Sequence, residues 1–117
     1  EVRNALPVDP AHLHVVREGM RIAADPGGTA ETGEPLGLRI GGKTGTAEFG
    51  AIAPDGSYDS HGWYIGFAPY ENPEIAVAVY IEHGVGATHA GPIAREVFEA
   101  YFGRGQRVDD TPSRAVP

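Results

Sequence analysis

Cysteine is absent from this chain, which excludes disulfides, Cys-based zinc sites and thiol nucleophiles. Basic residues are scarce as well. Nine Lys and Arg stand against 16 Asp and Glu, a formal net charge of −7. A nucleic-acid partner is therefore not expected, because phosphate neutralisation needs clustered cations. No apolar run approaches the ~20 residues that span a bilayer. The opening residues, Glu1-Val2-Arg3-Asn4, are charged and polar and carry no signal-peptide pattern. No internal repeat is visible. The most unusual shortage is lysine itself: Lys43 is the only one, and it lies in the most glycine-rich stretch.

What is present is enough for a core. The 117 residues are 41% hydrophobic, which suits one domain or less and argues against wholesale disorder. Seventeen glycines and ten prolines favour tight turns and close backbone approaches. Residues 9 to 24 read as a helix, with Asp9 as N-cap and Pro10 at the first helical position. Leu13, Val16, Met20 and Ala23 form one apolar stripe on it. Asp25-Pro26-Gly27-Gly28 ends the helix, and a polar loop follows to residue 35. A glycine-rich strand is expected over 36 to 49, opening on the alternation Leu36, Leu38, Ile40. Ala53 to Ser57 is a turn, and 61 to 68 and 74 to 82 read as two more strands. Short connections point to an antiparallel meander. A second helix is expected over 89 to 102, with Ile93, Val97 and Tyr101 as its stripe and Ala94 and Phe98 beside it. Residues 103 to 117 read as a flexible tail.

The third strand, with Ile75-Ala76-Val77-Ala78-Val79-Tyr80-Ile81 at its centre, is apolar on both faces. Such a run belongs inside a sheet, yet here it is the last strand of the meander. An open apolar edge is an aggregation hazard. A neighbouring strand supplied from elsewhere is therefore expected, which makes the chain part of a larger domain.

Two chemistries fit Gly41-Gly42-Lys43-Thr44-Gly45-Thr46-Ala47-Glu48. Gly37-x4-Gly42-Lys43-Thr44 matches a phosphate loop, but neither a strand before it nor a helix after it is predicted. The alternative is Lys-Thr-Gly on an edge strand, an element of penicillin-interacting serine enzymes. Lys43 and the Thr44 hydroxyl suit a carboxylate. Gly45 leaves room for a peptide-like substrate to add to the strand, and the Thr46 amide can face a developing oxyanion. Strict alternation puts Lys43 and Thr44 on opposite faces, so both serve one site only if the cleft follows the edge.

The wider pattern resembles the C-terminal part of the transpeptidase domain of class B penicillin-binding proteins, particularly the cell-elongation type, penicillin-binding protein 2. Most of residues 5 to 102 take part: Arg17-Glu18-Gly19-Met20, Gly28-Thr29-Ala30, Gly42 to Glu48, Trp63 to Pro69, Asn72-Pro73, Ile75 to Val79 with Glu82, and Ala90 to Ala94. The resemblance implies an α+β fold, an antiparallel sheet with packed helices forming one half of a serine β-lactamase/transpeptidase-like domain over residues 1–102. It implies a serine D,D-transpeptidase of peptidoglycan, acylated by β-lactams and needing no cofactor. Lys43 and Thr44 would bind a stem-peptide carboxylate beside Gly45, Lys43 would tune the proton relay, and the Thr46 amide would give one oxyanion donor. The partners implied are the rest of that domain, the stem peptide, β-lactams and the cell-elongation machinery. The place implied is the outer face of the bacterial membrane.

The family's Ser-x-x-Lys and Ser-x-Asn elements do not occur here. The serines are Ser57, Ser60 and Ser113, none with Lys three residues on or Asn two residues on. The nucleophile is thus expected from an upstream segment, and this piece alone is expected to be inactive. A non-catalytic penicillin-binding-like module is the rival reading, and nucleotide binding a remote third. Among the histidines only His61 stands where it could line a cleft; His12, His14, His83 and His89 read as structural or surface residues, without zinc spacing. Trp63, Tyr64 and Phe67 read mostly as core, and Glu48 as a surface carboxylate.

Overall fold

The structure, a computed structural model, describes residues 1–103. The expected tail lies outside the described residues except for Gly103. Helix α1 spans Pro10–Ala24, strands β1 to β3 span Gly41–Phe49, Asp59–Ala68 and Ile75–Ile81, and helix α2 spans Gly91–Tyr101. A short 3-10 turn, Glu31–Gly33, precedes β1, and a π-turn, Gly86–Ala90, leads into α2. The three strands form one antiparallel sheet in the order β1-β2-β3, as the meander predicts. No helix among the described residues is long and apolar enough to cross a membrane.

The local signals act as expected. Asp9 caps α1 by accepting the Ala11 N–H at 2.8 Å, and Asp25 closes the other end. In the β1–β2 connection the Ala53 N–H donates to Ser57 O at 2.8 Å, and Asp55 accepts from the Ser57 N–H.

Alternation along the sheet separates two faces. Tyr64 on β2 pairs with Thr44 on β1 and Val79 on β3, and this face is buried beneath α2 through Phe98 and Ala94. The opposite face carries Lys43, Ile65 and Ala78 in one row and Gly45, Trp63 and Tyr80 in the next. Helix α1 borders part of it: Met20 lines one hollow with Ile65, Phe67, Ala76 and Ala78, and the Arg17 guanidinium sits 5.4 Å from the Phe67 ring centre. Trp63 stays 44% exposed and Ile65 47%.

Several expectations are corrected. The first strand starts at Gly41, not 36: Leu38 and Ile40 are buried, but Leu36 sits in a turn, 91% exposed. Trp63 is surface, while Tyr64 is fully buried. On α2 the expected stripe Ile93, Val97 and Tyr101 faces outward, and its neighbours Ala94 and Phe98 fill the core. On α1 only Ala24 is buried, and Leu13 and Val16 are exposed. Strand β3 turns Ile75, Val77, Val79 and Ile81 to the core side and exposes Ala76, Ala78 and Tyr80. Among the described residues its outer edge has no partner.

A polar cluster ties α1 to the β2–β3 turn. The Tyr70 hydroxyl donates to Glu18 at 3.0 Å, Arg21 bridges Glu18 and Asp25, and Arg17 donates to the Tyr70 carbonyl. The Arg21 hydrogen bond, and then that of Tyr70, hold the Glu18 carboxyl below the usual range. A depressed folded value gives stability that is present above the unfolded pKa, about 4.3, and is lost as pH falls through the folded value. Burial pushes Glu34 the other way, so its contribution is lost as pH rises through its own raised value. Glu18→Gln should flatten the acid limb of a melting-temperature profile below about pH 4.3. A limb as steep as that of the unsubstituted chain would show that Glu18 carries none of it.

Candidate active site

The Lys-Thr-Gly segment lies inside β1, in register with β2: Lys43 opposite Ile65, Thr44 opposite Tyr64, Gly45 opposite Trp63, Thr46 opposite Gly62. The helix that a phosphate loop needs after Lys43-Thr44 is not there. Glycines on both sides of Lys43 let the strand lie flat on its neighbours. A Cβ at Gly42 would run into the Tyr64 hydroxyl, and one at Gly45 would stand 3.3 Å from the Trp63 Cβ.

Lys43 and Thr44 point to opposite faces, as alternation requires. Lys43 is exposed, its ammonium donating to the Thr44 carbonyl, and Thr44 is half-buried. What they share is the outer edge of β1, which is unpaired among the described residues. The direction of the edge groups follows from one crowded point. The Gly45 nitrogen, the Gly45 carbonyl oxygen and the Trp63 carbonyl oxygen all lie within 3 Å of the place where a Gly86 Cβ would stand. Oxygens that close face each other across the β1–β2 gap. The trans peptide after Gly45 then turns the Thr46 N–H outward, to the open edge. An exposed ammonium, a hydroxyl and an outward amide thus follow one another along a strand able to take a partner.

The Thr46 hydroxyl has a separate partner: it accepts the Gly86 N–H at 3.2 Å. Sequence reading missed Gly86, Thr32 and the loop they brace, since 40 residues separate Gly86 from Thr46 and no local pattern joins them. His61 lies on the Lys43 face, opposite Ala47, in an aromatic cluster at the far end of the strand. It stacks on Phe49 at 4.2 Å, with Tyr80 tilted against it and His83 edge-on. Its Nδ1 accepts the His83 N–H at 3.2 Å. Glu48 is exposed. Among the described residues no group of three or more His, Cys, Asp or Glu is placed to hold a metal ion.

Relatives add a second, independent line. Residues 1–101 match the family model for the penicillin-binding protein transpeptidase domain. Peptidoglycan D,D-transpeptidase MrdA of Haemophilus influenzae is 33% identical over 89 residues, which are 68% of this chain and 13% of that protein. Peptidoglycan D,D-transpeptidase PbpA of Mycobacterium tuberculosis is 44% identical over 70 residues, 55% of this chain and 14% of its own. Among solved structures, PBP2 of Pseudomonas aeruginosa in complex with WCK 5153 superposes with a TM-score of 0.70 at 33% identity, covering 88% of this chain and 22% of that one. The imipenem acyl-enzyme of penicillin-binding protein A from M. tuberculosis gives 0.66 at 38%, covering 81% and 20%. The chain therefore spans only 13% to 22% of the length of these four proteins. Its α+β architecture is that of part of their β-lactamase-like fold. With nearly its whole described length matched to that model, the chain belongs to the penicillin-binding protein transpeptidase domain family.

Proposed function

We propose that the chain supplies the substrate-gripping wall of a peptidoglycan D,D-transpeptidase, and that the reacting serine comes from polypeptide outside these residues. Lys43 and Thr44 hold a carboxylate of the stem peptide, and Lys43 also tunes the proton relay. The peptide chain adds along the open edge of β1, past Gly45, and the Thr46 N–H receives the developing oxyanion. One observation carries this reading: the only lysine of the chain stands exposed on an open strand edge, followed by an outward amide. The expected site residues Lys43, Thr44, Gly45 and Thr46 keep their roles in it.

Among the described residues, Ser57 and Ser60 offer no competing nucleophile. Ser57 donates to Asp55 in a turn, Ser60 donates to the Gly84 carbonyl, and neither has a lysine within its sequence neighbourhood. The remainder of the domain covers what is bare here: the outer edge of β3, the Trp63–Ile65 face and the outer stripes of both helices. Exposed apolar surface on this scale marks contact with further protein. Acting on peptidoglycan and on β-lactams, the parent protein works outside the cytoplasmic membrane, within the cell-elongation machinery. No cofactor enters the reaction.

Labelling with a fluorescent penicillin tests this. The intact protein takes one covalent label, and the 117-residue chain alone takes none. An adduct on Ser57, Ser60 or Ser113 of the isolated chain overturns the proposal.

A further inference from the structure

After β3 the chain returns over the sheet at a point where neither surface has a side chain. Val85 and Gly86 lie on the paired residues Thr46 and Gly62. A Cβ at Gly62 would come within 2.8 Å of the Val85 carbonyl carbon and 3.1 Å of the Gly86 nitrogen. A Cβ at Gly86 would come within 2.7 Å of the Trp63 carbonyl oxygen and 2.9 Å of the Gly45 nitrogen, and would run into the Gly45 carbonyl oxygen. Main chain thus rests directly on main chain, over the gap between Gly45 and Trp63.

This loop is braced from both sides. Gly84 and Ser60 exchange hydrogen bonds: the Gly84 N–H donates to the Ser60 carbonyl at 2.8 Å, and the Ser60 hydroxyl donates to the Gly84 carbonyl at 2.9 Å. Thr32 Oγ1 donates to the Ala87 carbonyl at 2.6 Å, and His89 Nδ1 accepts the Val85 N–H at 2.7 Å. Gly86 opens the π-turn that these bonds hold, a local form that recurs at functional sites. A loop fixed this way has little freedom to retreat.

We infer that Gly86 is a positioning residue for the Gly45–Thr46 peptide: it fixes how far the Thr46 N–H projects at the open edge, while its own N–H holds the Thr46 hydroxyl on the opposite side. The inference rests on the function proposed above and extends it to a residue outside the Lys-Thr-Gly strand. Reacting groups must be held to within roughly 0.5 Å. An added Cβ at Gly86 forces a movement on that scale, because atoms below 3.0 Å must shift.

Acylation of the intact protein by a fluorescent penicillin, resolved into the non-covalent dissociation constant and the acylation rate, tests it. Gly86→Ala should lower the acylation rate on the order of 10²-fold with the dissociation constant nearly unchanged. Thr46→Val keeps the volume but removes the acceptor of the Gly86 N–H, and should lower the same rate roughly tenfold. Thr46→Ser restores the acceptor and the rate. If Gly86→Ala does not fold, the Val and Ser pair decides the matter. Rates within twofold of the unsubstituted protein for Gly86→Ala, or for Thr46→Val, overturn the inference while Lys43→Ala remains impaired. If Lys43→Ala also reacts normally, the underlying functional reading falls first.

Discussion

Replacing Lys43 by Ala in the intact protein should slow β-lactam acylation by about 10²- to 10³-fold, the usual cost of removing one preorganised charged or oxyanion-stabilising group. The chain carries a net charge of −7, so the carboxylate substrate proposed above would meet a generally repulsive surface. This chain has no second lysine, and Arg39, its nearest other cation in sequence, is engaged with Glu71 at 3.5 Å. Lys43→Arg keeps the charge but replaces a compact ammonium with a planar fork, and should recover only part of the loss. The measurement is the second-order acylation constant for both variants, with circular dichroism to confirm folding. An alanine variant that acylates at the unsubstituted rate removes Lys43 from the reaction.

The second large effect concerns Tyr64, the largest fully buried side chain and the back of the same strand. Its hydroxyl donates to the Ala30 carbonyl at 2.8 Å, and burial pushes its phenol up, so it remains a neutral donor at physiological pH. Gly33 and Gly42 close on its ring from two sides, with a Cβ at Gly42 only 2.9 Å from Cζ. Tyr64→Phe removes one of the two hydrogen bonds the Ala30 carbonyl accepts, that of the Gly33 N–H at 3.2 Å remaining, and should cost about 0.5–1.5 kcal/mol. Tyr64→Ala also opens a cavity and should cost about 3–5 kcal/mol. Gly42→Ala should be destabilising through its clash with the hydroxyl. In the double variant Gly42→Ala/Tyr64→Phe the clash with the hydroxyl is gone and only the 2.9 Å approach to Cζ is left, so denaturant unfolding should show losses smaller than the sum of the singles. Strict additivity would mean that Gly42 does not feel the hydroxyl.

Much of the fold was legible because it is dictated by near neighbours along the chain. Asp9 and Pro10 start α1, Asp55-Gly56 shapes the first connection, and the short connections between strands set the meander. The start of β1 was not legible. Leu36, Leu38 and Ile40 alternate as a strand would, but the same spacing serves an irregular segment that tucks two of them into the core. On α2 two apolar stripes lie side by side, and only the sheet selects Ala94 and Phe98 over Ile93 and Val97. The outer stripe and the bare Trp63–Ile65 face have the patterning of buried surface without its partner.

The same division holds at the site. From the amino-acid order alone came the Lys43-Thr44-Gly45-Thr46 segment, its edge-strand setting and the absence of a serine nucleophile pattern, since these depend on residue type at fixed spacing. Tertiary structure alone decided that the Thr46 amide turns outward, that Tyr64 backs the strand, and that Gly86 rests on Gly45. Those facts are contacts between residues far apart in the chain, formed where glycines leave space, and a glycine carries no pattern that reveals which distant group will fill it.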